Sequence, residues 1–306
     1  MEQETEWLLR RVSLRQLKVF ETVVRHGSFT RAAEELFLTQ PTVSMQIKKL
    51  VDAMQLPLFE QTGKHMRLTE AGQKLHDTCR EVFNRLAEYE MAVADLKGMK
   101  RGRLRLAVIS TAEYFAPRLL GPFCQRYPGI DVSLEVNNRE QVLQSLAENR
   151  DDIYILGQPP EGLEVQASAF LENPLVVVAP RNHILATRKN LSLAELAQQP
   201  FIMREPGSGT RMATQALFDA QNIRIQVRME LGSNEAIKQA IVGGLGISVL
   251  SQHTLTQEAA TGQLIILDVT GFPIRRYWYA CYPKGKQLSV LARTFYEYLQ
   301  NECKAE

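Results

Sequence analysis

Residues 27–50 read GSFTRAAEELFLTQPTVSMQIKKL, and the N-terminal fold follows from them. Gly27 is placed to stop a preceding helix, since glycine enters the left-handed cap conformation freely. Ser28 caps a second helix whose apolar face is Phe29, Ala32, Ala33 and Leu36. Its two alanines let another helix approach closely. Thr39 caps a third helix, with Pro41 in the first turn, where a missing N–H costs little. That helix puts Val43, Ile47, Leu50 and Met54 on one face. At about 100° per residue, Pro41, Thr42, Met45, Lys48, Lys49 and Asp52 fall on the other. Small polar groups come first and lysines follow. A helix entering a DNA major groove needs this order, because its first turn meets base edges while longer cations behind reach phosphates. Two short helices joined by a tight turn predict a helix-turn-helix.

Upstream, Ser13-Leu14-Arg15-Gln16 fits a capping box, and Leu14, Leu17, Phe20, Val23 and Val24 continue as an apolar helical face. Downstream, residues 58–68 (LFEQTGKHMRL) are two strand-like pieces around Gly63. They predict a wing, a hairpin that reaches DNA backbone or minor groove. Over residues 40–67, Lys48, Lys49, Lys64 and Arg67 oppose Asp52 and Glu60, a local charge of four minus two. The whole chain has 36 basic and 34 acidic residues, so bulk charge does not announce nucleic acid and the local patch must. Thr42, Met45 and Lys48 are the candidate groove contacts; Lys49, Lys64 and Arg67 are the candidate phosphate contacts. Thr30, Arg31, Gln40, Pro41 and Ser44 complete the candidate DNA-binding surface. The competing reading is a small helical bundle with no DNA role.

Thr69 caps a long helix from Glu70. Leu75, Cys79, Val82, Leu86, Tyr89, Val93 and Leu96 alternate spacings of 4 and 3, the repeat of a two-helix seam. This favours dimerisation through the helix; packing on the chain's own C-terminal domain is the alternative. Gly98 with Lys97, Lys100, Arg101 and Arg103 marks a hinge. A dimer presents two recognition helices to two half-sites, so the expected partner is double-stranded promoter DNA with an inverted repeat.

From residue 103 onward, strand and helix patterns alternate. Leu104, Leu106 and Val108 give a first strand, residues 130–136 alternate likewise, and 153–156, 175–178 and 247–250 are short apolar runs. Helical patterns cover 140–148 and 234–242. The expectation is an α/β domain with largely parallel sheets. In such sheets ligands sit beyond the C-terminal strand ends. Ser110-Thr111, Gly207-Ser208-Gly209-Thr210 and Ser233-Asn234 each open a helix there, and helix N-termini favour anions. Arg204, beside the Gly-rich turn, offers a fork for a carboxylate or phosphate. Each feature also has a plain structural use: Ser110, Thr111, Thr210 and Asn234 as caps, Gly207 and Gly209 as turns, Arg204 paired with Glu205 or Glu230. Gly243-Gly244-Leu245-Gly246 reads as a helix-to-strand turn, since it lacks the Gly-Lys-Ser/Thr end of a P-loop.

Other classes fit less well. The five histidines are dispersed, and no nucleophile elbow, metal pair or dinucleotide fingerprint is present, which argues against an enzyme. Cys79, Cys124, Cys281 and Cys303 show no metal-ligand or disulfide spacing. A solute-binding transport protein leaves the N-terminal part unexplained. A regulator without an effector is the remaining alternative. The polar first residues do not form a secretory signal and no run approaches membrane-spanning length, so a cytoplasmic protein that avoids membranes is expected.

The segment from Phe20 to Gly72, with Gly27-Ser28-Phe29-Thr30-Arg31-Ala32-Ala33, Thr39-Gln40-Pro41-Thr42-Val43-Ser44 and Leu68-Thr69-Glu70-Ala71-Gly72, resembles LysR-type transcriptional regulators. Residues 58–61 (LFEQ), 114–120 (YFAPRLL), 157–160 (GQPP) and 204–211 (REPGSGTR) are similar to the CbbR/CmpR branch, which controls carbon dioxide fixation and inorganic-carbon uptake genes. Gln61 departs from the Arg that many members carry in the wing. The resemblance implies an α/β protein with a mainly helical N-terminal winged helix-turn-helix (1–70), a linker dimerisation helix (71–98) and a two-lobed, periplasmic-binding-protein-like regulatory domain (99–306). Lobe I is expected at about 103–178 and 274–303, and lobe II at about 181–267. Crossovers are expected near 178–181 and 267–273. It implies an effector cleft at Ser110, Thr111, Gln158, Arg204, Gly207, Ser208, Gly209, Thr210 and Asn234. No cofactor is expected; the effector is a small anion such as ribulose 1,5-bisphosphate, 2-phosphoglycolate, 2-oxoglutarate or NADPH. The implied partners are a homodimer or homotetramer and RNA polymerase.

Overall fold

The structure is a computed structural model that describes residues 11–62, 65–96 and 101–302. The expectations placed on Lys64, Gly63, Gly98, Lys97, Lys100 and Cys303 lie outside these residues. Two compact units divide between Glu90 and Met91.

In the first unit, α1 (Leu14–His26) begins with the full Ser13/Gln16 capping box and ends on Gly27 at φ 59°. Ser28 caps α2 (Phe29–Glu35) through the Arg31 N–H, and Thr39 caps α3 (Gln40–Met54) through the Thr42 N–H. The antiparallel pair β1 (Phe59–Thr62) and β2 (His65–Leu68) forms the wing. Then α4 (Glu70–Leu96) follows, its Gly72 N–H held by the Thr69 hydroxyl at 3.0 Å. Leu17, Phe20, Val23, Ala32, Ala33, Val43, Ile47, Leu50 and Leu58 make one core. Cys79 is buried in that same core, with Leu75 and Phe83 packed against it. The first part of the expected seam is therefore used within the chain, and the compact unit runs past residue 70 into the helix. Leu86 and Tyr89, further along, stay exposed.

The second unit opens with β3 (Arg101–Ile109), a 3₁₀ turn (Ser110–Tyr114), α5 (Ala116–Arg126), β4 (Gly129–Asn137), α6 (Arg139–Ala147), β5 (Ile153–Leu156) and β6 (Val165–Glu172). The chain then passes through β7 (Leu175–Pro180), α7 (Leu193–Ala197), β8 (Phe201–Arg204), α8 (Gly209–Asp219), β9 (Val227–Leu231), α9 (Asn234–Val242), β10 (Ser248–Ser251), α10 (Thr256–Thr261) and β11 (Leu264–Ile266). It returns in β12 (Tyr277–Pro283) and α11 (Val290–Glu302). Lobe I is a five-stranded sheet in the order β4-β3-β5-β12-β6. Lobe II holds β10-β7-β11 and β8-β9. Each lobe has its own apolar core, centred on Leu104, Phe123 and Trp278 in one and on Val177, Phe201 and Phe218 in the other.

Two expectations are corrected. The sheets are mixed: β3 pairs in parallel with β4 and β5, but β12 runs antiparallel to β5 and β6, and β7 antiparallel to β10 and β11. The chain leaves lobe I along β6 and comes back along β12, which forces opposite directions. The crossovers also lie elsewhere. Strand β7, expected to end lobe I, pairs inside lobe II, so the first crossing is at Asn173 and Pro174 and the second at residues 274–276. These two passages bond to each other, Asn173 N–H to Arg276 O at 2.7 Å and Leu175 N–H to Ile274 O at 3.0 Å. An apolar run such as 175–178 says that a strand is buried, not in which of two sheets.

Candidate functional site

The outer face of α3 is solvent-facing as the spacing requires. Gln40, Pro41, Met45, Lys48 and Lys49 are exposed, while Thr42 and Ser44 are half-buried. Thr30, Arg31 and Arg67 are exposed as well. Two of these side chains have local jobs. The Thr42 hydroxyl shares a 2.8 Å hydrogen bond with the Thr39 hydroxyl, and Gln40 Nε2 donates to Ser44 Oγ at 3.0 Å. Lys48, Lys49 and Arg67 make no ion pair among the described residues. Behind this face, Arg25 Nη2 and His26 Nε2 both meet Glu35 at 2.6 Å, tying α1 to α2. The two bonds pull the Glu35 carboxyl down to about 2, the Arg25 bond contributing most.

The second cluster lies between the lobes. Arg204, at the end of β8, is 4% exposed. Its Nε and Nη2 close on Glu205 at 2.7 and 2.8 Å. Its Nη1 donates to Asn234 Oδ1 at 2.7 Å and Thr111 Oγ1 at 3.2 Å, and Nη2 also reaches Ser110 Oγ at 3.3 Å. The structure thus takes the Glu205 pairing left open above. Ser110, Thr111, Arg204, Ser208, Gly209 and Thr210 are brought together around an inner cavity of about 20 Å³. Gln158 and Gly207 line an outer cavity of about 960 Å³ instead. Asn234 touches Arg204 and Thr111 but lines neither.

Sequence reasoning missed two residues, Arg139 and Arg276, which line both cavities. Arg276 Nη1 donates to Gly209 O at 2.7 Å; its Nη2 donates to Gln158 Oε1 at 2.6 Å and Gly157 O at 3.2 Å. Arg139 Nη1 donates to Gln158 O at 3.1 Å. Burial lowers the pKa of each, and the neighbouring charge of Arg139 lowers that of Arg276 further. Nothing in local spacing marks them among 36 basic residues; only the fold joins α6, the 157–158 loop, the start of α8 and the second crossover.

Among the described residues no group of three or more His, Cys, Asp or Glu is placed to hold a metal, and no helix is long and apolar enough to cross a membrane. A winged helix-turn-helix joined to a two-lobed domain with a basic cleft defines a DNA-binding regulator with a sensing half. Residues 14–73 match the bacterial regulatory helix-turn-helix of the lysR family, and residues 97–304 match the LysR substrate binding domain. The chain belongs to the LysR family of transcriptional regulators and is not an enzyme. It is 52% identical to the HTH-type transcriptional activator CmpR of Synechocystis over 291 residues, 95% of this chain and 96% of that one. It is 50% identical to a RuBisCO operon transcriptional regulator of Acidithiobacillus ferrooxidans, over 95% of this chain and 94% of the relative. Among solved structures, the CcmR regulatory domain of Synechocystis in complex with 2-PG is 56% identical, covers 67% of this chain and 99% of its own, and superposes with a TM-score of 0.65. A full-length OxyR variant from Pseudomonas aeruginosa, 21% identical, has a TM-score of 0.73 over 96% of this chain and 95% of its own, a likeness of fold alone.

Proposed function

We propose that this regulator controls genes of carbon dioxide fixation or inorganic-carbon uptake, and that a small anionic metabolite held between its lobes sets its activity. The observation that carries the reading is the 56% identity, over nearly all of the neighbour, to a regulatory domain in complex with 2-PG. The basic interlobe cleft of this chain supports it. The protein binds promoter DNA with an inverted repeat as a dimer or tetramer. Thr42, Met45 and Lys48 meet the groove, while Lys49, Lys64 and Arg67 meet phosphates. Binding of the metabolite closes the lobes and changes the placement of the DNA-binding units, and with it the recruitment of RNA polymerase. Only a ligand with different affinity for the two arrangements can do this.

The test is thermal unfolding of the full chain with 2-phosphoglycolate, ribulose 1,5-bisphosphate, 2-oxoglutarate and NADPH. A ligand at about 100 times its Kd stabilises by roughly 2.7 kcal/mol, a readily measured rise in Tm. A rise with at least one of the four is expected. No rise with any of them removes the carbon-metabolism reading.

A further inference from the structure

Three guanidiniums line the cleft, and their bonds differ. A guanidinium carries about five N–H donors. Arg204 makes five hydrogen bonds, to Glu205 twice and to Ser110, Thr111 and Asn234 once each. The same bonds engage the hydroxyls of Ser110 and Thr111. The cavity they surround, about 20 Å³, has room for roughly one water.

Arg276 makes three bonds, all to neutral acceptors, and Arg139 makes one, to a carbonyl. Neither has an ion pair among the described residues. Glu205 stands beside them, but its charge is matched to Arg204. Glu140 and Glu161 also line the outer cavity; neither forms an ion pair with either arginine among the described residues, and the Glu161 charge acts on Arg139 only from beyond contact. The wall therefore holds two half-buried like charges with no counter-charge in contact. Each disfavours the other, and an anion between them favours both. Two cations match a single dianionic group; one carboxylate group, whether of a mono- or a dicarboxylate, leaves one positive charge over at that spot. A phosphate monoester carries about −1.5 to −2 at pH 7 and presents several acceptor oxygens. The outer cavity, about 960 Å³, is ample for a small metabolite.

We propose that Arg139 and Arg276 seat the phosphate of a small phosphate monoester in the outer cavity, and that Arg204 is the clasp joining the lobes rather than an effector ligand. Effector binding then reinforces the bridge that Arg276 already makes between Gly209 of lobe II and the 157–158 loop of lobe I. The inference rests on the chain being a metabolite-controlled regulator.

Calorimetric titration of the full chain with 2-phosphoglycolate, glycolate and 2-oxoglutarate tests it. The wild type is expected to bind 2-phosphoglycolate best. Arg139→Gln and Arg276→Gln are each expected to weaken it on the order of ten- to a hundredfold, the usual loss of a charged hydrogen-bond partner. Arg139→Lys keeps the charge and most of the affinity, and Arg228→Gln, an exposed charge on β9, leaves it unchanged. Arg139 makes a single carbonyl bond, so its variants retain the wild-type melting temperature and are decisive if Arg276→Gln fails to fold. Affinity for 2-phosphoglycolate within about twofold of wild type in Arg139→Gln overturns the proposal. So does a wild type that prefers 2-oxoglutarate, which leaves the broader function intact; binding of none of the metabolite panel removes that function instead.

Discussion

Lys238 Nζ stands 4.9 Å from the centre of the Tyr114 ring, so a cation on α9 of lobe II is held against an aromatic of lobe I. The lysine is 2% exposed and pairs with Glu258 at 2.6 Å and Glu235 at 2.8 Å. Asn234, at the N-terminal end of the same helix, donates from Nδ2 to Thr111 Oγ1 of lobe I at 3.3 Å. One helix therefore carries two separate contacts to lobe I, and any motion between lobes must rearrange both.

Removing Lys238 takes from buried Glu258 the one cation it pairs with among the described residues. Lys238→Met is expected to destabilise by about 3–5 kcal/mol, and Lys238→Met with Glu258→Leu to recover much of that. Urea unfolding checks the comparison; equal losses in the single and double variants contradict it. Burial opposes the charge on Lys238 most strongly, yet its bonds to Glu235 and Glu258 together raise its pKa. A raised folded pKa means that this contribution is complete below the unfolded value and lost as pH rises through the folded one.

Acid should loosen the helix-turn-helix through Glu35. Its carboxyl is held down at about 2 from a normal 4.5 by Arg25 and His26. A depressed folded pKa gives stability that is present above the unfolded value and lost between about 4.5 and 2. The side chain is 39% exposed, so solvent screening keeps the contribution below about 1 kcal/mol. Glu35→Gln should therefore lower stability slightly at pH 7 and not at pH 2. An equal effect at both values contradicts the assignment.

The long helix divides its labour. Cys79 lies in the core of the N-terminal unit, and burial pushes its thiol up to about 12. Alkylating agents should leave it untouched in the folded protein. Among the described seam residues, Leu86 and Tyr89, 41% and 68% exposed, are the positions most open to a partner helix. Leu86→Glu with Tyr89→Glu is expected to shift sedimentation toward monomer without lowering the melting temperature of the N-terminal unit. An unchanged sedimentation profile excludes this seam as the dimer contact.

Phosphate contacts reveal themselves by salt. Lys49→Ala and Arg67→Ala should each reduce the slope of log K against log salt by about 1 and weaken binding to all duplexes alike. Met45→Ala should instead relax sequence preference with the slope unchanged. An unaltered slope for Lys49→Ala or Arg67→Ala removes that residue from the phosphate contacts.

The N-terminal unit was almost wholly legible in the sequence, because caps and apolar faces act within a few residues. Ser13, Gly27, Ser28, Thr39 and Thr69 each stand where local hydrogen-bonding geometry demands. The cleft was legible only in part. Ser110, Thr111 and Arg204 were found beside strand ends and do converge, but Arg204 closes on its own neighbour. Arg139 and Arg276, 137 positions apart in the chain (276 − 139), meet only through the antiparallel return of β12, which no local pattern announces. The misplaced crossover at 178–181 has the same origin, since burial on both faces looks alike in either lobe.

Coupling between cleft and DNA is tested most directly by binding the full chain to a duplex carrying its promoter's inverted repeat, footprinted with and without saturating 2-phosphoglycolate. Salt-sensitive, sequence-dependent binding is expected, with a footprint or bend that changes when the metabolite is added and does not change in Arg139→Gln. An identical footprint, bend and affinity with and without a metabolite shown to be bound contradicts a metabolite-controlled regulator.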